Sequence, residues 1–433
     1  MDGCWKLEAR DADKAEPGAS AARAGYLIAR NGAKLETPLF QPVATAGSLK
    51  TLDWNDLETL GYGHVLMNTY HLAAKPGVEA IAARGGVKPF TGWHGSVLTD
   101  SGGYQVHSLA ARRSLKPDGV HFTDHIEGRR HHFSPRFVLE AQLKLGVDFA
   151  MCIDVCTSLP ATRKKVARDL ELTHAWAREQ ARLWPELVGV LPTARAGRST
   201  PAGEGKRVAA RLSRGGPAHK MRSYSGGPAH KMRSYPDSPP RLLGIVQGGL
   251  FEDLRRESAE LIGSLGFDGV AVGGLAVGEA PEELARMVEF SAPLLPQDRA
   301  RYLMGVGDPA DILHAIGAGF DMFDCVQPTR MARHGVAYTR NGRLTIRQSR
   351  FAADSQPLDP QCRCRTCARY SREYLRHLFI LKEHSYARLL TWHNLALYRD
   401  LMRGAHRAIR AGNYAEWSKG RMSKLSRELP DGL

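Results

Sequence analysis

Eight short apolar runs alternate with amphipathic stretches along this chain, and that alternation limits the fold more than any other feature. The runs cover Phe40–Val43, Val65–Asn68, Val97–Asp100, Phe149–Asp154, Leu242–Gln247, Val270–Gly274, Tyr302–Val306 and Met322–Val326. Helical periodicity predicts helices over 135–145, 161–184, 251–265, 281–294 and 309–316. Short strands that are apolar on both faces imply a parallel sheet covered by helices. Eight of them predict an α/β fold closed as a (β/α)8 TIM-like barrel. A doubly wound open sheet competes on the pattern alone. Before the first run, Tyr26–Arg30 and Lys34–Thr37 flank Asn31-Gly32. This predicts an N-terminal β-hairpin that caps the barrel's N-terminal end, since both turn positions favour positive φ. A second hairpin is predicted around Asn341-Gly342.

One stretch breaks the alternation. Residues 189–240 are rich in Gly, Pro, Ser and Arg, and GGPAHKMRSY occurs twice, at 215–224 and 226–235. Two polar copies cannot build a shared core, so the stretch is expected to be a low-complexity insertion and not a solenoid. Between Leu191 and Arg241 lie eleven Lys and Arg against Glu204 and Asp237, which places +9 of the net +15 there. Such charge is compatible with a nucleic-acid partner and equally with a solvated loop. No uncharged stretch approaches the ~20 residues of a membrane span, and the first residues lack a secretory apolar run. Seven cysteines, an odd number, argue against a disulfide scaffold and for a reducing compartment, so a cytoplasmic protein is expected.

Cys362, Cys364 and Cys367 crowd into one short loop. Three thiolates at that spacing want a fourth N or S donor to hold a tetrahedral, closed and therefore structural zinc ion, one per chain. His393 is the candidate, with His377 and His384 as competing donors. Cys152 and Cys156 are expected to be free thiols, with Cys156 facing a pocket. The organisation that follows is an N-terminal extension 1–25, a catalytic barrel 26–335 interrupted by 189–240, and a zinc-binding helical subdomain 336–433.

Three runs carry a carboxylate at or near their end: Asp100, Asp154 and Asp324. In a barrel the C-terminal strand ends meet around one pocket, so these charges would converge and push one another's pKa values apart. The bland alternative is that each Asp caps the next helix. Glycines follow several runs, at Gly248-Gly249, Gly273-Gly274 and Gly305. They let backbone groups approach a flat ligand, or they make tight turns. No GxGxxG follows the first run, so no dinucleotide cofactor is implied. Tyr104, after Asp100-Ser-Gly-Gly, could stack on a base or pack at a rim.

These strings resemble one family. Asn68-Thr-Tyr-His-Leu, Asp100-Ser-Gly-Gly-Tyr-Gln-Val, Asp154-x-Cys156, Gly244-Ile-Val-Gln-Gly, Val272-Gly-Gly-Leu-Ala-Val-Gly-Glu, Tyr302-Leu-Met-Gly-Val-Gly, Phe323-Asp-Cys-Val, Pro328-Thr-Arg and the Cys/His set are similar to bacterial-type tRNA-guanine transglycosylases. The resemblance runs from about Tyr26 to the C-terminal helices. It implies exchange of the wobble guanine of tRNAs with GUN anticodons for 7-aminomethyl-7-deazaguanine, in queuosine biosynthesis. By that resemblance Asp324 is the nucleophile that forms a covalent ribosyl–enzyme intermediate, and Asp100 is the general base. Asp154, Gln247, Gly274 and Leu275 would read the base edge, Tyr104 and Met304 would sandwich the ring, and Glu279 would line the pocket. Arg330 and Arg333 would hold tRNA. The resemblance also implies a homodimer and no redox cofactor or ATP.

The chain departs from the pattern at Val155, where many relatives carry Glu, at His107, and in the insertion. Two other readings compete. A non-catalytic tRNA-binding subunit would have no chemical need for all three aspartates. A zinc hydrolase would need its ligands on the barrel strands, not after the eighth.

Overall fold

In the computed structural model all eight apolar runs become strands of one parallel sheet, and residues 4–11, 20–103, 113–190, 238–426 and 428 are described. In chain order these are β1 (Leu39–Pro42), β2 (His64–Asn68), β3 (Ser96–Asp100), β4 (Phe149–Met151), β5 (Arg241–Val246), β6 (Gly269–Val272), β7 (Ala300–Leu303) and β8 (Met322–Cys325). Each pairs in parallel with the next, from β2 through β8, and β8 pairs with β1. The last seam closes where Val43 bridges Leu66, the Ala44 N–H donates to the Leu66 carbonyl at 2.7 Å, and the Asn68 N–H donates to Thr45 at 3.1 Å. The closed barrel rules out the doubly wound alternative.

Burial explains the strand composition. Phe40, Val65, Val97, Ala150, Ile245, Ala271, Leu303 and Phe323 are fully buried, because helices cover the sheet outside and side chains fill it inside. The expected helices form at Pro135–Leu145, Arg163–Gly189, Glu252–Ser264, Pro281–Ser291 and Pro309–Ala318. Several start on the residues that satisfy free amides: Ser134, Thr162 and Asp308 each accept from a first-turn N–H.

Aspartates also lock the N-terminal end. Asp148, Asp268 and Asp321 precede their strands and accept the N–H of Val97 (2.9 Å), Leu242 (2.9 Å) and Arg301 (2.7 Å) on neighbouring strands. The predicted hairpin forms as Arg23–Ile28 with Lys34–Thr37, and it does cap this end. Its Arg23 is fully buried against Asp321 and donates to the carbonyls of Gln297 and Arg299. Within the segment read as an extension, Trp5–Arg10 adds a third antiparallel strand, and Trp5 lies over the Arg23 guanidinium at 4.0 Å. A further three-stranded sheet, Arg113–Lys116, Gly119–Thr123 and Arg130–Phe133, stands between β3 and β4. The second hairpin forms as Val336–Thr339 with Gly342–Thr345.

The long helix Ser385–Arg410 lies along the barrel wall. Tyr62 donates to the Leu395 carbonyl at 2.8 Å, Tyr398 to Gly307 at 2.5 Å, and His406 bonds the Thr37 carbonyl at 2.8 Å. Among the described residues no helix is long and apolar enough to cross a membrane. The part of the insertion over 191–237, and Tyr104 and His107, lie outside the described residues.

Candidate active site

The carboxylates sit where the strand pattern put them, at the C-terminal rim. Asp100 ends β3. Its Oδ2 accepts from Asn68 Nδ2 at 2.5 Å, and its Oδ1 accepts from the N–H of Thr69 (3.2 Å) and Gly102 (3.0 Å). Asn68 ends β2 opposite Asp100 and Thr69 opens the helix that follows, so parallel register delivers the donors. Burial raises Asp100 to about 7 against those donors, with the Asp324 charge adding to the rise.

Asp324 lies in β8. Its Oδ1 accepts from the Tyr302 hydroxyl at 2.5 Å and the Gly305 N–H at 2.9 Å. Burial raises its pKa too, while the Tyr302 bond opposes the rise. Neither Asp324 nor Asp154 caps a helix: Val326 and Thr162 occupy those positions. The helix-cap alternative is thereby excluded for both.

Asp154 follows β4 and is 7 % exposed; Gln247 follows β5 and is 4 % exposed. Gln247 Nε2 donates to Asp154 Oδ2 at 2.6 Å, and burial lifts Asp154 to about 6. The side of Gln247 is packed by backbone. A Cβ at Gly273 or Gly274 would fall on its amide, and Gly274 has φ +68°, so only glycine allows this approach. The Gly103 backbone packs on Asp154 less tightly, a Cβ there falling about 3.0 Å from the Asp154 carbonyl oxygen. Leu275 is buried beside them. Met304, partly buried, follows β7, and its N–H donates to Val272 at 3.1 Å.

Glu279 turns back on its own loop, and its two carboxylate oxygens accept from the N–H groups of Ala276 and Val277. That pins Ala276 at φ +57°, a conformation a non-glycine residue holds only when its neighbours impose it. Cys156 is a free, buried thiol facing Gly274, and burial pushes it up to about 12. Val155 is buried among Tyr70, Phe133 and Trp176, an apolar setting that suits Val.

Arg330 and Arg333 are exposed on the helix Gln327–Arg333 that follows β8. Arg333 shares a basic groove with Arg347, Lys382 and Arg388.

The donor atoms of Cys362, Cys364, Cys367 and His393 all lie within 4.8 Å of one another, and this set could hold a metal ion. His377 and His384 are not in the cluster. His393 Nδ1 is 3.2 Å from Cys367 Sγ and 3.6 Å from Cys364 Sγ. Its Nε2 lies 2.7 Å from the Tyr338 carbonyl, which fixes the proton there and leaves Nδ1 as the ligand atom. Asn394, next in sequence, accepts from the Tyr338 N–H and donates to Pro328 and Val336. Closing the four ligands thus locks the hairpin and the helix after β8 together.

Sequence patterns left four contributors unassigned. Asn68 and Thr69 hold Asp100, and Tyr302 holds Asp324. Arg255, fully buried on Glu252–Ser264, donates to the carbonyls of Gly249 (2.7 Å) and Gly273 (3.2 Å), bracing both glycine loops. A polar residue at the end of a run was the available signal for Asn68; nothing local marked Arg255.

A sequence profile described as queuine tRNA-ribosyltransferase matches residues 18–198 and 218–427, skipping only 199–217 between them. The chain belongs to the queuine tRNA-ribosyltransferase family. A protein of that name from Koribacter versatilis is 43 % identical over 392 residues, covering 90 % of this chain and 92 % of the other. One from Solidesulfovibrio magneticus is 41 % identical over 401 residues, covering 93 % and 94 %. The stretch that the queuine tRNA-ribosyltransferase profile skips falls inside the basic insertion. The eight barrel strands, the rim carboxylates and the Cys/His set all lie within the matched ranges.

Proposed function

We propose that this chain exchanges the wobble guanine of tRNAs with GUN anticodons for 7-aminomethyl-7-deazaguanine, through a ribosyl–enzyme ester on Asp324. The observation that carries the reading is a pair of half-buried carboxylates, Asp100 and Asp324, on separate strands at one rim and close enough to feel each other's charge. Tyr302 and Gly305 both hold Oδ1 of Asp324, so Oδ2 is the attacking oxygen. It bonds to the ribose C1′ as the C1′–N9 bond breaks. Guanine leaves with the bonding electrons and takes up a proton from the Asp100 carboxyl, which becomes the carboxylate used in the second half-reaction. The incoming base then gives its N9 proton to the Asp100 carboxylate, N9 bonds to C1′, and the C1′–Oδ2 bond breaks to restore Asp324. Covalent catalysis replaces one difficult displacement with two easier ones. A base with a pKa near 7 is matched to neutral pH.

The base-reading roles rest on the same rim. Asp154 accepts the ring and amino N–H groups of the purine edge. Gln247 and the backbone of Gly274 and Leu275 supply its other partners, with Glu279 fixing the loop that follows. Met304 packs on one ring face and Tyr104 on the other. The nucleotide leaves its stack to enter, and Arg330 and Arg333 hold the anticodon loop phosphates. A zinc ion on Cys362, Cys364, Cys367 and His393 is structural, since three thiolates and an imidazole leave no open position. The enzyme works in the cytoplasm as a homodimer, with residues 26–335 as the catalytic barrel and 336–433 as the metal-binding subdomain.

Incorporation of labelled guanine into tRNA with a wobble guanine tests this. Wild type is expected to incorporate label and Asp324→Ala none. Competition by 7-aminomethyl-7-deazaguanine but not queuine identifies the base. No incorporation by folded, metal-loaded wild type overturns the proposal.

A further inference from the structure

Arg255 is a wholly buried charge with no opposite charge beside it, and it lies behind the wall of the candidate base pocket. It belongs to the helix Glu252–Ser264. Its Nε donates to the Gly249 carbonyl at 2.7 Å and its Nη2 to the Gly273 carbonyl at 3.2 Å, while its Nη1 has no partner. Among the described residues no carboxylate forms an ion pair with it, and Glu279 acts on it only from farther away. Arg23 and Arg372, the other arginines among the largest wholly buried side chains, each have a carboxylate, Asp321 and Asp354. Burial pulls Arg255 down to about 10, so it stays protonated at neutral pH. An unpaired buried charge is costly to a fold, and a neutral donor would hold two carbonyls without that cost.

The charge sits at one end of a particular peptide. The Gly273 carbonyl and the Gly274 N–H belong to the same trans unit and point in opposite directions. With the carbonyl held on Arg255, the N–H is turned away from it, to the side where Gln247 and Cys156 lie. Gly274 is buried, and its N–H bonds to no oxygen among the described residues. It faces the Cys156 sulfur, a weak acceptor. A buried N–H without a strong acceptor is rare in a native fold. Packing keeps it from turning elsewhere. Gly248, at φ +137°, would put a Cβ 2.7 Å from the Arg255 backbone nitrogen, and Gly274 would put one on Gln247 Oε1.

We propose that Arg255 is a positioning residue that makes the Gly274 N–H selective for the 6-oxo group of the purine. A cation bonded to the Gly273 carbonyl draws electron density along the peptide and leaves the Gly274 N–H a stronger donor. The base oxygen replaces the thiol sulfur as its acceptor, while Asp154 takes the ring and amino N–H groups of the neighbouring edge. This rests on the base exchange proposed above, and adds to it the residue that sets the preference for oxygen at that position.

Calorimetric binding of guanine and 6-thioguanine to the full chain at pH 7 tests this. 6-Thioguanine keeps the N–H groups that Asp154 would accept and replaces the 6-oxygen by sulfur, a weak acceptor. Wild type is expected to prefer guanine. Arg255→Lys, which keeps the charge, is expected to retain most of that preference. Arg255→Gln, neutral but still a donor, is expected to lower it about ten-fold, through guanine affinity alone. Removing an unpaired buried charge should leave Arg255→Gln melting no lower than Arg255→Lys. Equal preference in the two variants overturns the proposal, as does a proportionate loss of both bases in Arg255→Gln, which a merely loosened pocket would give. If Arg255→Gln does not fold, Arg255→Lys decides alone: a retained preference supports the proposal and a lost one overturns it. Wild type that binds guanine and incorporates it into tRNA upholds base exchange however the variants behave. Wild type that does neither removes base exchange, and this inference with it.

Discussion

Replacing Asp100 by Asn separates what this residue does for the reaction from what it costs the fold. Burial raises the carboxyl from 3.8 in the unfolded chain to about 7 in the folded one. Between those values the native state binds the extra proton, so stability falls as pH rises through the window. The difference of about three units corresponds to a destabilisation of about 4 kcal/mol once pH exceeds the folded value, at 1.36 kcal/mol per unit. Of that, about 2 kcal/mol develops between roughly pH 5.5 and 8.5, where the folded carboxyl ionises, and water at the barrel mouth makes this an upper figure. An amide cannot ionise, so the variant escapes the term entirely. The new amide also offers the Asn68 amide one acceptor oxygen where the carboxylate offered two, a loss of about 1 kcal/mol that does not vary with pH. Urea unfolding of wild type and Asp100→Asn across that range therefore isolates the electrostatic part as a change in their difference. The variant is expected to gain about 1–2 kcal/mol on wild type from the acid to the basic end, while losing base exchange throughout. A difference that stays flat with pH would mean that Asp100 is ionised in the fold throughout, and would refute the burial argument.

Other perturbations follow from the same geometry. Tyr302→Phe removes the hydroxyl that holds Asp324 Oδ1, so Asp324 should rise further and the acid limb of the rate profile should move to higher pH, with activity down about ten-fold at neutral pH, measured by guanine exchange. Gly274→Ala drives a Cβ into the Gln247 amide at a positive φ, so KM for the base should rise several-fold with a stability loss of about 1 kcal/mol or more, read by kinetics and thermal melting. Arg23→Ala leaves Asp321 buried without its partner and should cost about 3–5 kcal/mol in chemical denaturation. Metal removal from the cysteine cluster by a chelator should lower Tm and activity together, with both restored by Zn²⁺.

The barrel was legible because its strands are buried on both faces, so Val97–Leu98 or Val270–Val272 needs no context to be read as strand. The cysteines of the Cys/His cluster were legible because their spacing is local, whereas His393, 26 residues past Cys367, had two competing histidines until the fold placed it. The N-terminal strand was not: of Trp5–Arg10 only Trp5 is buried, and an edge strand with one anchor leaves no alternation. Arg113–Lys116 alternates, but over four residues with none fully buried, too short to stand out. At the site, the three aspartates stood out as charges at or near the ends of apolar runs and so marked themselves. Their holders did not, because Tyr302 lies inside a run and Arg255 inside an ordinary amphipathic helix. What each touches depends on register between strands and packing between elements, which no local pattern records.

The helix Ser385–Arg410 has a consequence for how the molecule is made. It bonds to Thr37 before β1, to Leu60 and Tyr62 before β2 and to Gly307 after β7, so it covers the seam where the first and last strands meet. The three cysteines of the Cys/His cluster occupy the stretch of chain between β8 and this helix, which carries His393. During synthesis, strands β1 to β7 emerge with that seam uncovered and wait until nearly the last residues have left the ribosome. If a metal ion closes the four ligands, His393, on this same helix, draws the wall into place, and metal capture and completion of the barrel are then expected as one late folding event.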